Sequence, residues 1–200
     1  MFPKLAHTIV VEGPDQVGKY TQSQMLVSRI GKYCKVKFVE VPLDDKITYP
    51  LIYKMLDTGI AQKFPNLFQI VQFANKMLFQ IFCLPLLLLK YDFVVFDRWA
   101  LSGFVYGRVS GVNPMLNSLL YRLLIKPDAT VVITGPSFSV DRVQDEYEKD
   151  KSFQRKVSNE YLVWAAVNEH VAHVANDGSD PEEIHRRIML HLPLFFIKNF

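Results

Sequence analysis

The sequence predicts an α/β fold in which a parallel sheet of about five strands carries helices on both faces. Three observations support it. Short β-branched and aromatic runs alternate along the chain with longer segments of helical periodicity. A glycine-rich turn bearing a lysine joins the first strand to the first helix. The composition, 200 residues of which 50% are apolar and 22% charged, suits one globular domain with a sizeable core, and no Ser/Gly/Pro-rich linker divides it.

Taken in order, the run Thr8–Glu12 is read as the first strand and Lys19–Ile30 as the helix after the turn. The second strand is Lys35–Val41, followed by helices over Tyr49–Thr58 and Leu67–Leu89. A third strand, Phe93–Asp97, is apolar up to its final carboxylate, as a central parallel strand should be. A helix over Met115–Leu124 leads to a fourth strand, Thr130–Thr134, and helices follow at Phe138–Asp145 and Phe153–Asn168. The pattern closes with a strand at His170–Val174 and a helix at Pro181–Leu192. In such sheets ligands bind beyond the carboxyl ends of the strands, where the strand order reverses. Glu12 and Asp97-Arg98 both fall at that edge.

Several classes of function are disfavoured. The longest apolar run, Ile81 to Leu89, has nine residues and contains Pro85, far short of a membrane span. The first residues lack the apolar core of a secretory leader, and Cys34 and Cys83 have no partners at metal-ligand spacing. These features predict reduced thiols and a cytoplasmic setting. Net charge is only +3, and the one tight basic cluster, His185-Arg186-Arg187, sits in a helix where a solvated face explains it, so no nucleic-acid partner is expected.

The chemistry concentrates in Gly13-Pro14-Asp15-Gln16-Val17-Gly18-Lys19-Tyr20-Thr21. Gly13 and Gly18 let the backbone curl so that N–H groups face an anion, the helix start adds its positive dipole end, and Lys19 can reach terminal phosphates. Phosphate loops usually place Ser or Thr directly after the lysine, where the hydroxyl binds Mg²⁺. Here Tyr20 holds that position, and Thr21, one residue later, is rotated by about 100°. Asp97, ending a buried strand beside this loop, can orient a Mg²⁺-bound water or Lys19, and Arg98 can make a forked contact with phosphate.

With these residues in place, the chain resembles the thymidylate kinase family of phosphate-loop nucleoside monophosphate kinases. The resemblance runs through Glu12-Gly13-x-Asp15-x-x-Gly18-Lys19-x-Thr21-Gln22, Asp97-Arg98-Trp99-x-x-Ser102-Gly103-x-x-Tyr106 and Lys126-Pro127-Asp128. It continues through Glu146-Tyr147-Glu148, Phe153-Gln154-x-x-Val157-x-x-x-Tyr161 and Asp180-Pro181-Glu182-Glu183-Ile184-His185. It implies transfer of the γ-phosphoryl of ATP, with Mg²⁺, to the 5′-phosphate of dTMP. By resemblance, Lys19 and the loop amides hold the donor, Asp15 meets the acceptor sugar, and Arg98 lies between the phosphoryl groups. Arg142, in a lid over residues 142–152, closes on the donor phosphates and supplies the catalytic cation, since Gln16 stands where some members place a loop arginine. Lys149 and Lys151 are reserves for that role.

The acceptor pocket departs from the family pattern. Glu40-Val41-Pro42 replaces an Arg-x-Pro whose arginine touches the acceptor phosphate, and Gln72-Phe73-Ala74-Asn75-Lys76 replaces a Phe-x-Ala-Asn-Arg that stacks on and reads thymine. Gln72, Phe73, Lys76 and Tyr106 are the expected pocket residues, with Phe68 one turn before Gln72. Lys76 lacks the planar fork of arginine, which predicts looser base reading. Such departures resemble those of divergent viral members. The family also implies a homodimer, for which the apolar stretch Ile70–Leu89 is suited. Two other readings are weighed: a nucleotide-binding relative with weakened catalysis and a regulatory role, and a phosphate-loop kinase acting on a nucleoside.

Overall fold

The structure is a computed structural model in which residues 5–136, 150–168 and 171–192 are described. Strands β1 (His7–Glu12), β2 (Val36–Glu40), β3 (Phe93–Asp97), β4 (Ala129–Thr134) and β5 (Val171–Ala175) form one parallel sheet in the order β2-β3-β1-β4-β5. From β1 the chain passes to β2 and β3 on one side and later to β4 and β5 on the other. The strand order therefore reverses beside β1, which opens a crevice at its carboxyl end.

Helix α1 (Lys19–Ile30) follows β1, and α2 (Thr48–Asp57), α3 (Ile60–Lys63), α4 (Pro65–Phe82) and α5 (Leu84–Lys90) connect β2 to β3. Next come α6 (Ala100–Val109) and α7 (Pro114–Leu123), then α8 (Lys151–Val167) before β5 and α9 (Pro181–His191) after it. Strand alternation divides the core in two. Ile9, Val11, Phe93 and Val95 pack with Leu26 and Ile30 of α1 and Ile184 and Ile188 of α9. Val10, Val94 and Phe96 face the other way, onto Phe79, Leu84 and Trp99. Asp128, from the Lys-Pro-Asp motif, accepts from Thr8 N at 2.7 Å and Thr8 Oγ1 at 2.8 Å, which pins the start of β4 to β1.

The five strands occur where the sequence places them. One helical expectation is corrected, and two helices, α3 and α6, have no counterpart in the expected pattern. The stretch Leu67–Leu89 is two helices, α4 and α5, meeting at Cys83 with a bend of 45°. Pro85 lies at the start of α5, where its missing N–H is tolerated and would not be in a continuous helix. Helix α6 lies outside the expected pattern, and Gly103 and Gly107 count against it on propensity. Both glycines answer to packing: a Cβ on Gly107 would lie 2.5 Å from Asn117 Oδ1, and one on Gly103 would meet Lys76 Nζ at 3.1 Å.

The helix expected at Phe138–Asp145, and with it Arg142 and Lys149, lies outside the described residues. No single described helix is long and apolar enough to cross a membrane; α4 and α5 reach that length only as a bent pair, and α4 buries Gln69, Asn75 and Lys76.

Candidate active site

The turn after β1 is shaped by close packing. Gly13 has φ +146°, and a Cβ there would sit 2.1 Å from the Ile133 carbonyl, so the loop can cross β4 only with glycine. Gly18 caps α1 with φ +89° and no side-chain cap, and the first turn of α1 holds no acidic residue. Its N–H groups remain suited to an anion. Lys19 is buried at the loop mouth and donates to the Pro14 carbonyl. Burial, and then the charge of Arg98, push its ammonium down to about 8, against the pull of Asp15, Asp97 and Glu12.

A second set of residues holds Arg98. Its backbone takes φ +67°, unusual for a non-glycine residue, and its N–H donates to Val11 O at 2.9 Å. The guanidinium pairs with Asp15, donates to Gly13 O at 3.1 Å and to Ser102 Oγ at 3.2 Å, and lies 5.5 Å from the Tyr106 ring centre. Asp15 is further held by Tyr106 OH at 2.6 Å and Gln154 Nε2 at 2.9 Å, while Gln154 Oε1 accepts from Asp15 N at 3.2 Å. Burial alone would raise the Asp15 carboxyl, but Arg98, Lys19 and these donors outweigh it and hold it below the ordinary value. Beneath them Glu12, fully buried, accepts from Trp99 N at 2.8 Å, from Ser102 Oγ and from Tyr161 OH at 3.2 Å.

One cavity of about 1200 Å³ runs along this edge. Asp15, Gln16, Gly18, Lys19, Tyr20, Thr21, Asp97 and Arg98 line its middle, with Gly13, Pro14 and Val17 buried beneath the loop. At one end Asn176 and residues 178–181 form a wall. Asn176 Nδ2 donates to Val17 O at 3.1 Å, and Gln22 Nε2 donates to Pro181 O at 2.9 Å, so this wall is tied to the phosphate loop and to α1.

The other end lies between α2, α4 and α6. Gln69, Gln72 and Lys76 fall at helical spacing on one face of α4 and line it, together with Phe68 and Tyr106. Lys76 is buried there, and burial pushes its ammonium down to about 8, Glu12 opposing and Arg98 assisting. Phe73 does not join them. One residue beyond Gln72 it is turned by about 100° and packs against the core cluster of Phe79 and Trp99, so the aromatic contribution of this helix to the cavity comes from Phe68.

Two features bear on a cation at the phosphates. Asp97 Oδ1 is buried with no hydrogen-bond partner among the described residues, and burial raises its carboxyl against the nearby charges of Lys19 and Arg98. An orphaned carboxylate oxygen beside a phosphate loop fits a hydrated Mg²⁺. Tyr20 does not act as the usual hydroxyl ligand: its ring is 55% exposed and stands edge-on to Phe38, 5.9 Å between centroids.

Several contributors have no role assigned from the sequence. Gln154 and Tyr161 stand in a stretch that carries the family resemblance, and, seven residues apart on α8, they share one face. Gln69 extends the Gln72 and Lys76 spacing by one turn. Asn176 follows β5, at the edge where ligands are expected.

A parallel sheet with a phosphate loop at its switch point and an arginine and aspartate facing that loop defines a phosphate-loop nucleoside monophosphate kinase. Comparisons narrow the class. The family model for thymidylate kinase matches residues 11–188. The chain is 27% identical over 195 residues to a probable thymidylate kinase of Methanocaldococcus jannaschii, covering 92% of this chain and 94% of that one. Its fold is similar to thymidylate kinases from Candida albicans (TM-score 0.76, 22% identity, 98% and 93% of the chains) and Ehrlichia chaffeensis (TM-score 0.75, 19% identity, 94% and 99%). The chain belongs to the thymidylate kinase family, and its activity is that family's ATP-dependent phosphorylation of dTMP.

Proposed function

We propose that the reaction runs in the middle of the cavity, with the donor nucleotide against residues 176–181 and dTMP between α2, α4 and α6. The observation that supports it best is the convergence of Lys19, Asp97, Arg98 and Asp15 where those two halves meet. The loop amides and Lys19 bind the donor phosphates. Arg98, held in an unusual backbone conformation by Asp15, Gly13 and Ser102, presents its remaining N–H groups to the transferring phosphoryl group. The acceptor phosphate oxygen is already anionic at neutral pH and needs no general base, so alignment and charge neutralisation dominate. Mg²⁺, near Asp97, supplies further charge neutralisation when bound.

Asp15 takes a positioning role in this scheme. Three donors occupy its two oxygens, which leaves one lone pair for the acceptor sugar. Lys76, Gln72 and Gln69 face the acceptor base, with Phe68 and Tyr106 as its aromatic neighbours. Arg142, in a lid over residues 142–152, closes on the donor phosphates, excludes water and supplies the transition-state cation, with Lys149 or Lys151 in reserve for that role. The chain acts as one domain and as a homodimer.

The test is an acceptor screen with ATP and Mg²⁺ over the four deoxy- and four ribonucleoside monophosphates and 5-substituted deoxyuridylates. dTMP is expected to be turned over, with dUMP behind it by less than about a thousandfold, since one methyl contact is worth only about 1–3 kcal/mol. Turnover of a nucleoside and of no monophosphate would overturn the acceptor assignment.

A further inference from the structure

Strand β2 ends at Glu40, and the parallel register sets it beside Asp97 of β3. Aligned residues of a parallel pair point to the same face of a sheet. Val39 and Val41 pack in the cluster with Phe96, so Glu40 and Asp97 belong to the opposite face, the one covered by α1. Both carboxylates line the cavity. Asp97 is 7% exposed, and its Oδ1 has no hydrogen-bond partner among the described residues, while the Lys19 ammonium is engaged by the Pro14 carbonyl. Lys19 and Arg98 act on Asp97 from nearby, yet its Oδ1 keeps no hydrogen-bond partner among the described residues, and the register adds a second carboxylate at the neighbouring strand end.

The surroundings narrow its nature. Residue 20 offers no compact hydroxyl, because the Tyr20 ring lies against Phe38, on the same strand face as Glu40 and two residues before it. Two carboxylates on adjacent strand ends, lining the same cavity beside a phosphate site, offer hard oxygens that suit a divalent cation completing its shell with water and phosphate oxygen. Without such a cation Glu40 would repel an incoming phosphate dianion.

We propose that Glu40 and Asp97 together hold a divalent cation on the acceptor side of the site, and that this cation grips the acceptor phosphate. The proposal rests on reading the cavity as a monophosphate kinase site. Two carboxylates and a doubly charged cation sum to zero, so the attraction of Arg98 and Lys19 for the acceptor is no longer opposed. Acceptor binding becomes linked to the cation, and each tightens the other by the same factor.

The experiment is a Mn²⁺ titration of the full chain, read by electron paramagnetic resonance, without nucleotide and then with dTMP. In parallel, calorimetry follows dTMP binding with and without Mg²⁺. Wild-type is expected to bind Mn²⁺ without ATP, more tightly with dTMP, and to bind dTMP more tightly with Mg²⁺. Glu40→Gln and Asp97→Asn should each weaken Mn²⁺ by about tenfold or more. Glu40→Arg supplies the charge itself, so its dTMP affinity should no longer depend on Mg²⁺. Unaltered Mn²⁺ binding in Glu40→Gln, or wild-type dTMP affinity indifferent to Mg²⁺, overturns the proposal. Glu40 is exposed at a strand end, so its variants should fold, as circular dichroism will verify. The nucleotide-free titration reads the carboxylate pair even if the acceptor proves not to be dTMP, which separates this failure from failure of the functional reading.

Discussion

At the residue scale the site depends on charges that burial makes sensitive. Arg98 works through geometry as well as charge: its fork engages Asp15, Gly13 and Ser102 at once. Arg98→Lys keeps the charge and loses the fork, so kcat/KM should fall by about a hundredfold, measured in a coupled assay. If kcat/KM is unchanged while the melting temperature falls, Arg98 is only a structural ion-pair partner. Lys19 and Lys76 give a pH signature. Both ammonium groups are depressed from 10.5 to about 8, chiefly by burial. As pH rises through about 8 each loses its proton, so kcat/KM should decline along an alkaline limb near that value. Stability moves the other way. Between about 8 and 10.5 the unfolded chain binds more protons than the folded one at these two groups, so their contribution to stability rises with pH. A kcat/KM profile flat from pH 7 to 9.5 would contradict the assignment of both lysines.

At the element scale, α6 is a helix whose glycines serve its neighbours. Gly103 leaves room for Lys76 Nζ and Gln69 Nε2, the latter donating to Gly103 O at 2.9 Å and to Asn117 Oδ1 at 3.1 Å. Gly103→Ala would bring a Cβ within 3.1 Å and 3.2 Å of these two flexible ends, which can yield without unfolding the helix. KM for dTMP should rise about fivefold, equivalent to about 1 kcal/mol, with KM for ATP and the melting temperature little changed. Equal increases in both KM values would mean that the helix as a whole has shifted. The same element shows why part of the molecule was illegible. The phosphate loop and Asp97-Arg98 are contiguous and sit at strand ends, so local pattern suffices to find them. Helix α6 carries two glycines that propensity counts against it, and their compensation comes from α4 and α7, distant in sequence. Gln69 and Asn176 likewise acquire meaning only once α4 and the end of β5 border the same cavity. The break at Pro85 was visible as a residue, but not as a bend, because the apolar run continues across it.

At the scale of the whole molecule, the outer faces of α4 and α7 lack the polarity expected of a solvated surface. Leu67, Ile70, Leu78 and Ile81 recur at helical spacing on α4 and are 41–55% exposed. Met115, Leu119 and Leu123 form a second stripe on α7, and the two helices are joined where Gln80 Nε2 donates to Leu123 O at 3.1 Å. Scattered exposed apolar residues need no explanation, but two adjoining stripes form a patch of the kind that closes against another surface. A second copy of the chain is the simplest occupant, since a twofold axis needs only one self-complementary patch. Sedimentation at micromolar concentration should therefore give a dimer, and Leu78→Glu with Ile81→Glu should give a folded monomer, because both side chains point outward in the single chain. The proposed catalytic edge lies at the strand ends, and each residue assigned to it comes from one chain, so the monomer should retain turnover at concentrations where it remains folded. A wild-type chain that sediments as a monomer removes the patch as a dimer interface. A double variant that still dimerises would place the interface on another face.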